Sequence, residues 1–196
     1  AVASDQKNVL VYDLLKLDAG VTNFSPRELK KHKDIINKVT FSADGNFLAS
    51  ASLNNELILW KPDGSVVVEL GDVKNIVNAI TFSHDSKILV AMDVLGRGTS
   101  FSIPSGNKFA DFNGHDNTVF SADFSPESAS GNYLVATAGG NDNVIYIWNA
   151  INGRSLQTIK GHGSTIWDLS FGDELQLFIS KEQSKNEKIR YQFKFD

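Results

Sequence analysis

The stretch that decides the fold is "GHDNTVFSADFSPE", residues 114–127, because a near copy, "GHGSTIWDLSFGDE", returns 47 residues later at 161–174. Both carry Gly-His, an apolar residue four after the His (Val119, Ile166) and Phe nine after it (Phe124, Phe171). A repeated His can be a catalytic group, a metal ligand or a structural part, and the rest of the chain has to decide which.

The same pattern recurs upstream. His32, Ile36, Val39 and Phe41 fit it, and Val73, Val77, Ile80 and Phe82 fit it without the His. The four Phe positions are spaced by 41, 42 and 47 residues, a period that marks a repeat architecture. Each unit continues with a polar turn ("SADGN", "SHDS", "SPES") and a short apolar run ("FLASAS", "ILVAMD", "YLVATAG", "LFIS"). A third run follows, ending at Trp60 in one unit and Trp148 in another, and then a fourth, such as "SVVVEL" or "SLQTI". Runs of four to seven residues, rich in Val, Ile and Phe and bounded by turn residues, are strands. Only "SPRELKKH", Ser25 to His32, offers a helical start, and a single turn within a loop accounts for it.

Composition narrows the function. With 19 Lys and Arg against 23 Asp and Glu, the formal charge of −4 disfavours nucleic acid as a partner. The absence of cysteine excludes disulfides, thiolate metal sites and a Cys nucleophile. No apolar run approaches the length that spans a bilayer, and no signal peptide is visible, so the expected setting is cytoplasmic without membrane contact.

Units of four short strands resemble WD repeats, the blades of an all-β propeller. The resemblance is carried by Gly114-His115, by Asp142 six before Trp148, and by His32, Ser50, Asn54 and Trp60 in the first complete unit. It implies that His, Ser or Thr, Asp and Trp form a hydrogen-bonded relay inside each blade. His32, Ser50, Asn54, Trp60, His115, Asp142, Trp148 and His162 are then structural. The units are degenerate: Tyr12 is assigned to the Trp place of the first, partial unit, Ser102 to that of the third, and Phe193 or Phe195 to that of the last. Ala138 is assigned to a place where Ser would complete the relay, and the repeated Phe residues are assigned to the core.

The expected blades are 1–24 (partial), 33–70, 74–112, 116–159 and 163–196 (partial), about four and a half blades in an incomplete ring. Since propellers close with 4–8 blades, the chain is expected to be the C-terminal part of a larger propeller. The missing blades would come from upstream sequence or a second chain. His residues on separate blades cannot converge, so no metal, cofactor or catalytic site is expected. Gly96-Arg97-Gly98 lacks the Lys-Ser/Thr of a phosphate loop and reads as a hairpin turn.

The expected function is a non-catalytic scaffold binding a protein or peptide. The alternative is a regulatory or sensor module of a larger multidomain enzyme or nucleotide-switch protein. In the resemblance, the residue five after the His opens the innermost strand near one mouth of the channel. Those residues are Asn37, Asn78, Phe120 and Trp167, with Ile35 and Ile76 two positions earlier, and they are the candidate partner-binding set. Phe120 and Trp167 read first as packing between blades, and alternatively as an aromatic anchor for a partner. A third option, reading of a modified peptide, requires acidic residues around such an aromatic cage.

Overall fold

The apolar runs become strands because β-branched and aromatic side chains fit a pleated, two-sided surface. The computed structural model describes residues 1–3, 7–13, 25–126, 133–140, 142–172, 176–181 and 189–192, and among them are eighteen strands and no helix. They form five antiparallel sheets in chain order. The first holds β1 (Val2–Ala3), β2 (Asn8–Val11) and β3 (Arg27–Lys30). The second holds β4 (Ile36–Phe41), β5 (Leu48–Ser52), β6 (Leu57–Trp60) and β7 (Val66–Glu69). The third holds β8 (Val77–Phe82), β9 (Ile88–Asp93), β10 (Arg97–Ser102) and β11 (Lys108–Asn113). The fourth holds β12 (Val119–Phe124), β13 (Leu134–Gly139), β14 (Ile145–Asn149) and β15 (Ser155–Ile159). The fifth holds β16 (Ile166–Phe171), β17 (Gln176–Lys181) and β18 (Ile189–Gln192). These are successive blades of an incomplete propeller.

One local expectation fails. Within Ser25–His32, Arg27–Lys30 is not a turn in a loop but the outer strand of the first sheet, pairing Val9 with Leu29 and Val11 with Arg27. Leu29 is fully buried, and that burial against the second sheet outweighs the local Ser-Pro helix signal.

The inner turns are fixed by side chains. Between β4 and β5 the Asp44 carboxylate accepts the Ser42 hydroxyl at 2.6 Å and the Asn46 amide at 3.0 Å, while Gly45 takes φ +72°. Those bonds, the Ser42 one first, hold Asp44 down at a pKa of about 2. Between β8 and β9, Asp85 takes the Ser83 hydroxyl in the same way and also accepts the Tyr133 hydroxyl from the fourth sheet at 2.8 Å.

Each core is shared by two neighbouring sheets. Ala49, Leu57 and Leu59 of the second sheet pack with Val77, Leu89 and Phe101 of the third. Val90, Met92 and Phe112 of the third pack with Phe124, Val135 and Trp148 of the fourth. Leu134, Ala136 and Ile147 of the fourth pack with Ile166, Leu169 and Leu177 of the fifth. Alternate residues of one strand therefore serve opposite interfaces: Ala49 faces forward and Leu48 backward. That explains why the middle strands read as unbroken apolar runs rather than alternating ones.

Phe82, Phe124 and Phe171 face the preceding sheet but are not equally buried, Phe171 being half-buried against the four-stranded fourth sheet. Phe82 is 8% exposed and Phe124 1%, but Phe41 is 39% exposed, so it is not core as the repeat suggested. Its neighbour is the first sheet, whose described strands include no partner inside the two-residue β1. Phe124→Ala is accordingly expected to cost about 3–5 kcal/mol in urea unfolding and Phe41→Ala a small fraction of that. Equal losses would show that the two side chains are equally packed.

Candidate functional site

The His relay was the first candidate, and the structure builds it fully in one sheet. His32 lies ahead of β4, with Nε2 2.6 Å from Ser50 Oγ and Nδ1 3.2 Å from a Glu56 oxygen. The Trp60 indole N–H donates to the same Ser50 oxygen at 2.8 Å. One proton arrangement satisfies every group: Trp60 donates to Ser50, Ser50 donates to Nε2, and Nδ1–H donates to Glu56. Burial lowers the His32 pKa, outweighing the Glu56 carboxylate, so the ring is neutral as this arrangement requires. The acid is thus Glu56 and not Asn54, whose side-chain oxygen instead accepts the Ser52 hydroxyl. The β5–β6 turn is shorter than its β13–β14 counterpart, and the longer Glu side chain reaches across it.

In the fourth sheet His115 Nδ1 lies 2.6 Å from Asp142 and Nε2 3.0 Å from Thr137 Oγ1. Burial by itself would raise the Asp142 carboxyl, but the hydrogen bond and charge of His115 bring it below its ordinary value. Thr137, not Ala138, is therefore the hydroxyl residue: Ala122 pairs with Thr137 as Val39 pairs with Ser50. Trp148 Nε1 has no acceptor; its ring stacks face-on with Phe112, centroids 4.7 Å apart. His162 is buried ahead of β16 in the same place.

The third sheet replaces the relay as a set. Val73 stands for the His, Ala91 for the Ser and Phe101 for the Trp, all within one apolar core. Register puts Phe101, opposite Leu89, where Trp60 stands opposite Leu48, so Ser102 is not the Trp equivalent. Tyr12, 41% exposed and past the end of β2, does not fill that place either; Val11 packs on the core there. In the fifth sheet Tyr191, opposite Leu177, holds the position by register, and Phe193 and Phe195 lie outside the described residues.

The second candidate set shares a feature invisible in the sequence. In each complete pairing of an innermost strand, one residue is skipped by the ladder. Ile36 pairs with Ser52 and Lys38 with Ala51, leaving Asn37 unpaired. The same slip leaves Asn78, Phe120 and Trp167 unpaired in the next three sheets. A β-bulge of this kind frees a side chain from the ladder and re-aims it.

All four bulge residues make a contact across a sheet boundary, Asn37, Asn78 and Phe120 to the next sheet and Trp167 back to Phe120. Asn37 donates its side-chain N–H to Val77 O at 2.7 Å, and Asn78 does so to Val119 O at 2.9 Å. Those amides are committed to blade-to-blade links. Phe120 replaces the hydrogen bond with a ring contact, its centroid 4.5 Å from that of Trp167. Phe120 is half-buried, while Trp167 is 43% exposed. Gly140 gives Phe120 its room: a Cβ there would come within 2.7 Å of the ring.

The loops beside these bulges are laced in the same way. Leu53 N–H donates to Ile35 O, Val94 N–H to Ile76 O and Gly140 N–H to Thr118 O. Ile35 is exposed and Ile76 half-buried. Sequence reasoning missed the polar floor beneath the aromatic pair. Ser121 Oγ donates to Asp168 at 2.8 Å, and Asp123 accepts the Phe171 amide at 2.8 Å. Burial, with repulsion from Asp168, pushes the Asp123 carboxyl up. Alternation from the bulge would have placed these residues, but the bulge itself leaves no mark in composition.

Residues 24–61 and 106–149 match the family described as WD domain, G-beta repeat. The matched stretches end one residue after Trp60 and Trp148, and the unit whose relay is replaced by Val73, Ala91 and Phe101 lies largely between them.

Two consequences are measurable. Ser50→Ala leaves the Trp60 and His32 nitrogens without their shared partner and is expected to cost about 2–4 kcal/mol of unfolding free energy. A loss under about 0.5 kcal/mol would remove Ser50 from the relay. Because the folded His32 pKa lies below the free value of 6.5, the unfolded chain binds the extra proton first. Stability from this group is complete above 6.5 and falls as pH drops through that value toward the folded pKa. His32→Gln should flatten the slope of stability against pH just below 6.5; an unchanged slope would contradict a neutral buried ring.

Proposed function

Since the chain is a WD-repeat protein folded as successive propeller blades, we propose that it is a non-catalytic platform gripping a protein or peptide partner at the mouth edged by its bulge residues. WD repeats generally serve as protein-interaction scaffolds. The observation that carries the reading is the Phe120–Trp167 pair, an exposed indole backed by a second ring across a blade boundary. Large aromatic side chains held rigidly at a surface supply contact area at little entropic cost, which is how interface hot spots work.

Ile35 and Leu53, both exposed, extend the apolar rim on the second sheet, and Leu95 does so on the third. In this reading Asn37 and Asn78 shape the surface, since their amide donors already bridge blades, and the aromatic pair supplies the grip. Among the described residues no helix is long and apolar enough to cross a membrane.

Affinity capture with the 196-residue chain tests the proposal. Trp167→Ala and Phe120→Ala are each expected to lose bound partners at least tenfold while urea unfolding confirms the fold, a hot-spot cost of roughly 1.5–3 kcal/mol. Folded variants that both retain every partner would place the binding surface elsewhere.

A further inference from the structure

We infer that the Phe120–Trp167 pair receives a basic side chain, lysine or arginine, from the docked partner. The inference rests on the docking reading above and adds the chemistry of the group docked.

Three observations converge on a cation. The Trp167 ring is exposed and braced from behind by Phe120, so an aromatic face is held ready rather than collapsed onto the surface. Asp168, the next residue, is also exposed. Trp167 is the residue that the ladder skips, and Asp168, paired with Ser180, follows it directly; the two side chains reach the adjacent residues Phe120 and Ser121 of the fourth sheet. Ser121 donates to one Asp168 oxygen, which orients the carboxylate without neutralising it.

Charge bookkeeping gives the sign. Five acids beside the blades have a lysine partner: Glu28 has Lys30, Glu69 has Lys31, Glu56 has Lys33, Asp85 has Lys87 and Asp111 has Lys108, whereas Asp44, Asp63 and Asp93 are held by neutral donors. Asp123 and Asp168, close enough to repel each other, have no Lys or Arg ion pair among the described residues. An ammonium or guanidinium over the indole meets the negative face of the ring and the unoffset carboxylate together. An acidic or phosphorylated side chain would meet repulsion at the same point. A neutral apolar one would gain only the ring contact.

The three tryptophans allow a direct test, because Trp60 and Trp148 are buried and Trp167 is not. Capped tripeptides Ala-Arg-Ala and Ala-Lys-Ala, with citrulline and norleucine versions as neutral matches, are titrated into the 196-residue chain. The readout is the Trp167 indole N–H resonance, assigned with Trp167→Phe. The basic peptides should shift it saturably and about tenfold more tightly than the neutral ones. Asp168→Asn, with the other two indole resonances unmoved, should erase most of that difference, as should high salt.

Equal binding of basic and neutral peptides would overturn the charge inference while leaving the docking reading intact. No shift with any peptide would also overturn it, and partner capture by the Trp167 and Phe120 variants would then judge the docking reading separately. A Trp167 indole already shielded in a chain whose sedimenting mass grows with concentration would mean that a second copy covers the face, and would overturn it too.

Discussion

A sheet that is apolar on both faces cannot stand in water by itself, and every other feature of this molecule follows from that. Leu48 and Trp60 need the first sheet, Ala49 and Leu59 need the third, and they belong to the same two strands. Each large aliphatic side chain so buried contributes about 1.5–3 kcal/mol, against which any single hydrogen bond is small. Stability is then a chain of nearest-neighbour interfaces, and local structure yields to it. The strand at Arg27–Lys30 forms where Ser-Pro chemistry favoured a turn, because Leu29 completes an interface.

The polar relay is subordinate to that packing, and its variation shows how. A buried hydrogen bond nets little when complete, but a stranded donor costs its full desolvation. The second sheet keeps the whole set, His32, Ser50, Glu56 and Trp60. The third drops the whole set for Val73, Ala91 and Phe101. The fourth lies between: His115 is satisfied on both sides, but the Trp148 N–H is not, and its ring is held by the Phe112 stack instead.

The period of the Phe residues made the blades legible, since one turn and one interface recur in each. Residue-level assignments failed wherever neighbours are small and alike. Thr137 and Ala138, or Phe101 and Ser102, differ by one place, and only the ladder tells which one faces the relay. Glu56 was hidden because the turn before Trp60 is shorter than the one before Trp148. Phe120 and Trp167 could be chosen from position, whereas Ser121, Asp123 and Asp168 became visible only when the bulge set their facing. Exposure at Phe41 depends on a neighbouring sheet, which no local pattern encodes.

A position that the ladder skips is also one that the ladder does not constrain. Asn at 37 and 78 and aromatic rings at 120 and 167 occupy one geometric slot, with the pairing on either side unchanged. This edge of the blades thus holds different letters in one slot, each matched to its own neighbours, as Asn37 is to Val77 and Phe120 to Gly140. New recognition on this scaffold demands no new architecture, only respelling.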